Sequence, residues 1–70
     1  MPTLKELRLE ARLSVNALAK LAQVDRATID RAEAGSPIYD YTGAAIVQTL
    51  AKQLGRTIRL QDVDGLNIGG

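Results

Sequence analysis

Arg26 and Arg31 are the side chains best equipped for specific chemistry in this sequence, with Ala27, Thr28 and Asp30 between them. Each guanidinium carries a planar fork of N–H donors that fits paired acceptors such as a carboxylate, a phosphate or a purine edge. That chemistry is recognition, not bond-making. The sequence offers little to a catalyst: it has no histidine and no cysteine, so the commonest general base, the thiolate nucleophile and the usual zinc ligands are missing. Asp62 and Asp64 are close in sequence, but Gly65 beside them marks a turn and not a pocket. There is no glycine-rich phosphate loop, and a 70-residue chain leaves little room for a substrate cavity. An enzyme is the weakest reading, and no metal or other cofactor is implied.

The elements that must position these arginines belong to one small domain covering 1–70. With no disulfide possible, its stability has to come from a core of Leu, Ile, Val and Ala, since there are two tyrosines and no Phe or Trp. Such an aliphatic inventory favours close helix packing over a β-sandwich. No apolar run approaches the roughly 20 residues of a membrane span, and the N-terminus lacks the apolar centre of a signal peptide, so we expect a soluble, cytoplasmic protein. Nine basic residues nearly balance eight acidic ones, for a net charge of +1. Placement, more than total charge, must therefore carry any argument about an anionic partner.

Helical punctuation is dense. Thr3 with Glu6 has capping-box spacing and opens a helix to about Arg12, with Leu4, Leu7 and Ala11 at helical intervals. Ser14 caps a second helix over Val15–Ala22, with Leu18, Leu21 and Ala22 expected on its buried side. After Gln23-Val24-Asp25, Asp25 caps a third helix from Arg26 to about Ala34, and Gly35 suits the left-handed residue that ends it. Pro37 interrupts Ser36–Tyr41, which reads as a loop. Thr42 is placed to cap a fourth helix over Gly43–Leu54, ended by Gly55. Residues 56–63 alternate as a strand could, yet 60–63 also fit one short helical turn, which we favour. The tail over 66–70 is expected to fray.

Two short helices separated by three residues satisfy the spacing of a helix–turn–helix over about 14–34, the second helix being free to enter a major groove. Small Ala19 and Ala22 permit close approach, Val24 can plug the corner, and Ile29 can anchor the second helix. Leu7-Arg8, Ser14, Leu18-Ala19, Val24, Thr28-Ile29, Glu33 and Gly35 together resemble the phage-repressor (Cro-like, XRE-type) helix–turn–helix family. The stretch from Leu50 to Leu54 continues the likeness with a Leu-Ala-x-x-Leu-Gly pattern. The resemblance implies an all-α, four- to five-helix, lambda-repressor-like domain that binds double-stranded DNA, regulates transcription, and is commonly a homodimer through its C-terminal half. It also implies a structural ion pair between Arg8 and Glu33, in keeping with the need of an Arg–carboxylate fork to tolerate partial burial.

For base contacts the expected residues are Arg26, by its match to the family's first base-reading position, then Ala27 toward a thymine methyl, and Arg31, which can reach a base or a phosphate. Phosphate contacts are expected from Ser14, Val15 and Asn16 at one helix start, from Thr42 and Gly43 at another, and from Thr28 and Lys20. The blander reading of Arg26 and Arg31 is a solvated face balanced by Asp25 and Asp30. Three positions depart from the family's pattern. Val15 stands where an amide side chain often touches a phosphate, Gln23 stands where the turn often has glycine, and Ser36–Thr42 has Asp40 but no Lys or Arg. Few phosphate partners predict weak monomer binding, which pairing on a palindrome would offset. Tyr39, Tyr41, Ile58 and Leu66 are candidates for a dimer surface, or else for completing the core. A competing reading is a protein-interaction module that keeps the fold and has lost its DNA role.

Overall fold

A capping box opens α1 (Leu4–Glu10). The Thr3 hydroxyl accepts from the Glu6 N–H at 3.2 Å, and the Glu6 carboxylate accepts from the Thr3 N–H at 2.8 Å. Two donors that a helix start leaves unpaired are thus satisfied locally. Ser14 opens α2 (Val15–Ala22) by accepting from the Ala17 N–H at 3.0 Å. Then come α3 (Arg26–Glu33), α4 (Asp40–Leu54) and a 3₁₀ turn at Leu60–Asp62. The coordinates are a computed structural model that describes residues 2–69.

Among the described residues the four α-helices stop in the same way. In each, an amide beyond the end reaches back to a carbonyl in the last turn: Leu13 to Arg8 (3.1 Å), Val24 to Ala19 (3.0 Å), Ser36 to Arg31 (2.9 Å) and Arg56 to Ala51 (3.1 Å). The motif needs a left-handed residue just before that amide. Arg12, Gln23, Gly35 and Gly55 supply it, at φ of 59°, 60°, 82° and 68°. Glycine does so freely, whereas Arg12 and Gln23 each carry about 1–2 kcal/mol of backbone strain. The following residues, Leu13 and Val24, pack on the core and hold those two corners in place.

The core takes one or two fully buried side chains from every helix: Leu7, Leu18, Ile29, Ile46 and Leu50. Buried Ala19, Ala22 and Ala32 allow close backbone approach in the α2–α3 region. Leu21, expected inside, is instead 49% exposed, because α2 turns Leu18, Ala19 and Ala22 inward and leaves Leu21 off that stripe.

The short helical turn forms at Leu60–Asp62, and Val63 is buried. Ile58, Leu60 and Leu66 pack against the core and complete it. Ile38 N–H donates to Asn67 O at 2.9 Å and Gly69 N–H to Ile38 O at 3.0 Å, forming an isolated parallel bridge between Ile38 and Ile68. A second bridge joins Thr3 and Asp64, with Asp64 N–H bonded to Pro2 O at 2.8 Å. Gly70 lies outside the described residues. The tail thus straps the α3–α4 loop to the start of the chain.

Candidate nucleic-acid interface

Between α2 and α3 the chain reverses through Gln23-Val24-Asp25. Gln23 takes the left-handed turn and Val24 drops against the core. With Ile29 and Ala32 buried, α3 turns its other side outward: Arg26, Ala27, Asp30 and Arg31 are exposed, and Thr28 is half-buried at the edge. Asp25 occupies the cap position, but its side chain makes no capping hydrogen bond; its backbone carbonyl receives Thr28 N–H at 3.0 Å. Arg26 approaches Asp30 only loosely, at 3.9 Å, with both side chains more than half exposed. A solvated pair of that kind contributes little and breaks readily when a better acceptor arrives.

The far end of α3 is braced. Arg8 Nε lies 2.6 Å from Glu33 Oε2 and Nη2 lies 3.3 Å from Oε1, while Nη1 donates to Leu13 O at 3.0 Å. Both side chains are almost wholly covered, at 10% and 13% exposure. The fork is satisfied on three sides, which a buried guanidinium requires.

At the start of α2, Ser14, Val15 and Asn16 are adjacent, with the Ser14 oxygen engaged by Ala17 and the Val15 side chain packed on the core. Ser14 and Asn16 are exposed, as is Lys20 one turn on. The other expected helix start needs correction. α4 begins at Asp40, not after Thr42, with Tyr39 at the cap position and the Asp40 carboxylate accepting from Tyr41 N–H at 2.7 Å. Gly43 is therefore inside the helix: it is buried, and its N–H is committed to Tyr39 O at 2.9 Å. It has no free amide for a phosphate. Thr42 is half-buried and lines, with Thr28 and Arg31, a groove of about 390 Å³ beside α3.

Sequence reasoning left Tyr39 and Tyr41 as candidates for either core or contact surface. The structure leaves both outside the core, at 58% and 69% exposure, and stacks them on each other with centroids 5.3 Å apart and planes 6° from parallel. Their i, i+2 spacing was the available signal, but it is legible only once the helix is known to begin between them.

A short turn joining two small helices, with the second one braced and its outer face bare, defines a helix–turn–helix domain of the DNA-binding class. The chain matches a family model described as a helix-turn-helix domain over residues 3–57, and it belongs to that family, which is of the Cro/C1 type and non-enzymatic. Comparison with curated proteins and with solved structures gives no match. No helix among the described residues is long and apolar enough to cross a membrane.

Proposed function

We propose that this protein is a sequence-specific regulator of transcription that lays α3 in the major groove and acts as a homodimer on a palindromic operator. The observation that carries the reading is the bare outer face of α3, held rigid by Ile29 below and by the Arg8–Glu33 pair at its end. Arg26 and Arg31 read base edges and Ala27 meets a thymine methyl. Ser14, Val15, Asn16, Lys20, Thr28 and Thr42 hold the flanking phosphates. With a net charge of +1 and few cations at the interface, one copy binds weakly, and two linked half-sites raise the affinity.

The test is selection of bound duplexes from a random pool at low salt, with oligomeric state measured alongside. A palindromic consensus is expected, with binding that weakens as salt rises. Arg26→Ala should cost about 1–3 kcal/mol and relax the preference at one base pair. Binding of the selected operator by Arg26→Ala as tightly as by the parent would overturn the assignment.

A second reading is favoured by Asp25, Asp30 and Asp40 around the same surface, which oppose a phosphate backbone. On that reading the domain docks a protein partner instead of DNA. It predicts a stable protein complex and no retained duplex even at low salt.

A further inference from the structure

Two short rows of side chains make up the outer face of α3. Arg26 and Asp30 stand one turn apart in the first, Ala27 and Arg31 in the second, and all four are exposed. Asp30 is the member that does not suit DNA in general, because a carboxylate offers only acceptors and is repelled by phosphates. A helix that brings both Arg26 and Arg31 to a duplex nevertheless carries Asp30 in with them. Its side chain is 57% exposed and lies 3.9 Å from Arg26 Nε. We infer that Asp30 is a specificity-determining residue, whose carboxylate accepts from the N4 amino group of a cytosine one step away from a guanine that Arg26 reads. The inference rests on the DNA-binding reading above and adds a base requirement that the arginines alone do not set.

The edges of the bases select this partner. In the major groove N7 and O6 of guanine, N7 of adenine and O4 of thymine are all acceptors, and each opposes a carboxylate. Only the amino groups of cytosine and adenine donate, and adenine sets its N7 acceptor beside its amino group. Cytosine N4 therefore suits Asp30 best. The spacing agrees with this. The 3.9 Å between Arg26 Nε and Asp30 Oδ2 is close to the ~3.4 Å step between stacked bases, so the two groups can meet neighbouring pairs where they stand. Because Nε is the atom nearest Asp30, Nη1 and Nη2 stay available for O6 and N7 of guanine. The Arg8–Glu33 pair contributes as well: a helix held at its end resists the roll that would turn Asp30 away from the base edges.

A carboxylate that reads a base and one that merely repels the backbone leave different traces. Duplexes are selected from a random pool at low salt with the parent, Arg26→Ala, Asp30→Ala and Asp30→Asn. For the parent, a cytosine is expected one step from the guanine whose preference Arg26→Ala relaxes. Affinities are then measured for the parent's operator carrying each of the four bases at that cytosine position. The parent should favour cytosine about tenfold or more. Asp30→Ala should erase that preference by binding the three disfavoured operators more tightly, with the rest of the consensus intact. Asp30→Asn should move the preference toward adenine, whose N6 and N7 an amide engages together. Thermal melting of each free variant checks that the fold is intact. A parent consensus without that cytosine, or retention of the cytosine preference by both Asp30 variants, overturns the assignment while leaving the role of α3 standing. A gain in affinity by Asp30→Ala that is equal for all four operators also overturns it and makes Asp30 a charge that only repels the backbone. If the parent itself retains no duplex, the reading of α3 falls and the role of Asp30 falls with it.

Discussion

Arg8 on α1 and Glu33 in the last turn of α3 form a two-pronged ion pair across the domain, and the same guanidinium also holds Leu13 O where the chain leaves α1. One side chain therefore fixes three things at once: the end of α3, the α1–α2 corner with its left-handed Arg12, and the distance between them. Neither residue faces the exposed side of α3, so the pair acts on recognition by bracing.

Breaking this pair from one side should be costly. Arg8→Ala or Glu33→Ala strands the other charge in a nearly covered site and is expected to cost about 3–5 kcal/mol. The double variant Arg8→Met/Glu33→Leu should recover much of that loss, because it removes both desolvation penalties. Chemical denaturation of the three variants measures it, and a double variant as unstable as either single one would contradict this account.

Acid should loosen the N-terminal part of the domain. Glu6 is held below the ordinary glutamate value by its hydrogen bonds with the Thr3 backbone and hydroxyl, and Glu10 by its hydrogen bonds from Arg56 at 2.7 and 3.2 Å. A lowered folded-state value means that the stabilisation is complete above the ordinary glutamate range and is lost as pH falls through the folded value. The melting temperature should therefore drop as pH goes from about 5 toward 3. Glu6→Gln preserves the capping geometry at neutral pH and should flatten part of that drop, as read by thermal melts across the pH series.

Gln23 tests the cost of the turn. Its φ of 60° is relieved by Gln23→Gly, which removes about 1–2 kcal/mol of strain. The added freedom of glycine in the unfolded chain offsets about 0.4–1 kcal/mol of it. A net gain of about 0.5 kcal/mol is expected from denaturant titration. A loss would mean that the Gln23 side chain contributes to stability through contacts of its own.

Gly43 tests the docked tail. A Cβ there would lie 2.9 Å from Ile68 Cδ1 and 3.1 Å from Leu60 Cδ2. Gly43→Ala gains about 1 kcal/mol of helix propensity and must push the flexible end of Ile68 aside. Global stability should change little, while amide exchange at Ile38 and Gly69 should speed up as their bridge loosens. Unchanged exchange at both amides would show that the tail adjusts without releasing the loop.

Local signals in the sequence were enough for most of the helical framework. Thr3, Ser14 and Gly35 act through neighbours within a few residues, so their roles at helix ends are legible without knowledge of the fold. The start of α4 was not legible, because Thr42 has the cap chemistry whereas Tyr39 holds the position. That choice depends on Ile38, which is buried and tied to Asn67 and Gly69, and so sets the chain direction just before the helix. The contacts of the tail were not legible for the same reason: Asn67 and Gly69 bond to Ile38, about thirty positions away, which no local pattern encodes.

Caps, apolar spacing and turn residues act over one or two helical turns, so the number and order of the helices, the three-residue turn and the aliphatic character of the core are legible in the chain alone. Only the tertiary structure decided that Leu21 stays outside, that Gly43 is sealed beneath Ile68, that the tail straps the loop, and that Tyr39 and Tyr41 stack in solvent beside α3. Those outcomes follow from packing between distant segments, where a side chain's fate depends on what arrives against it and not on its own type.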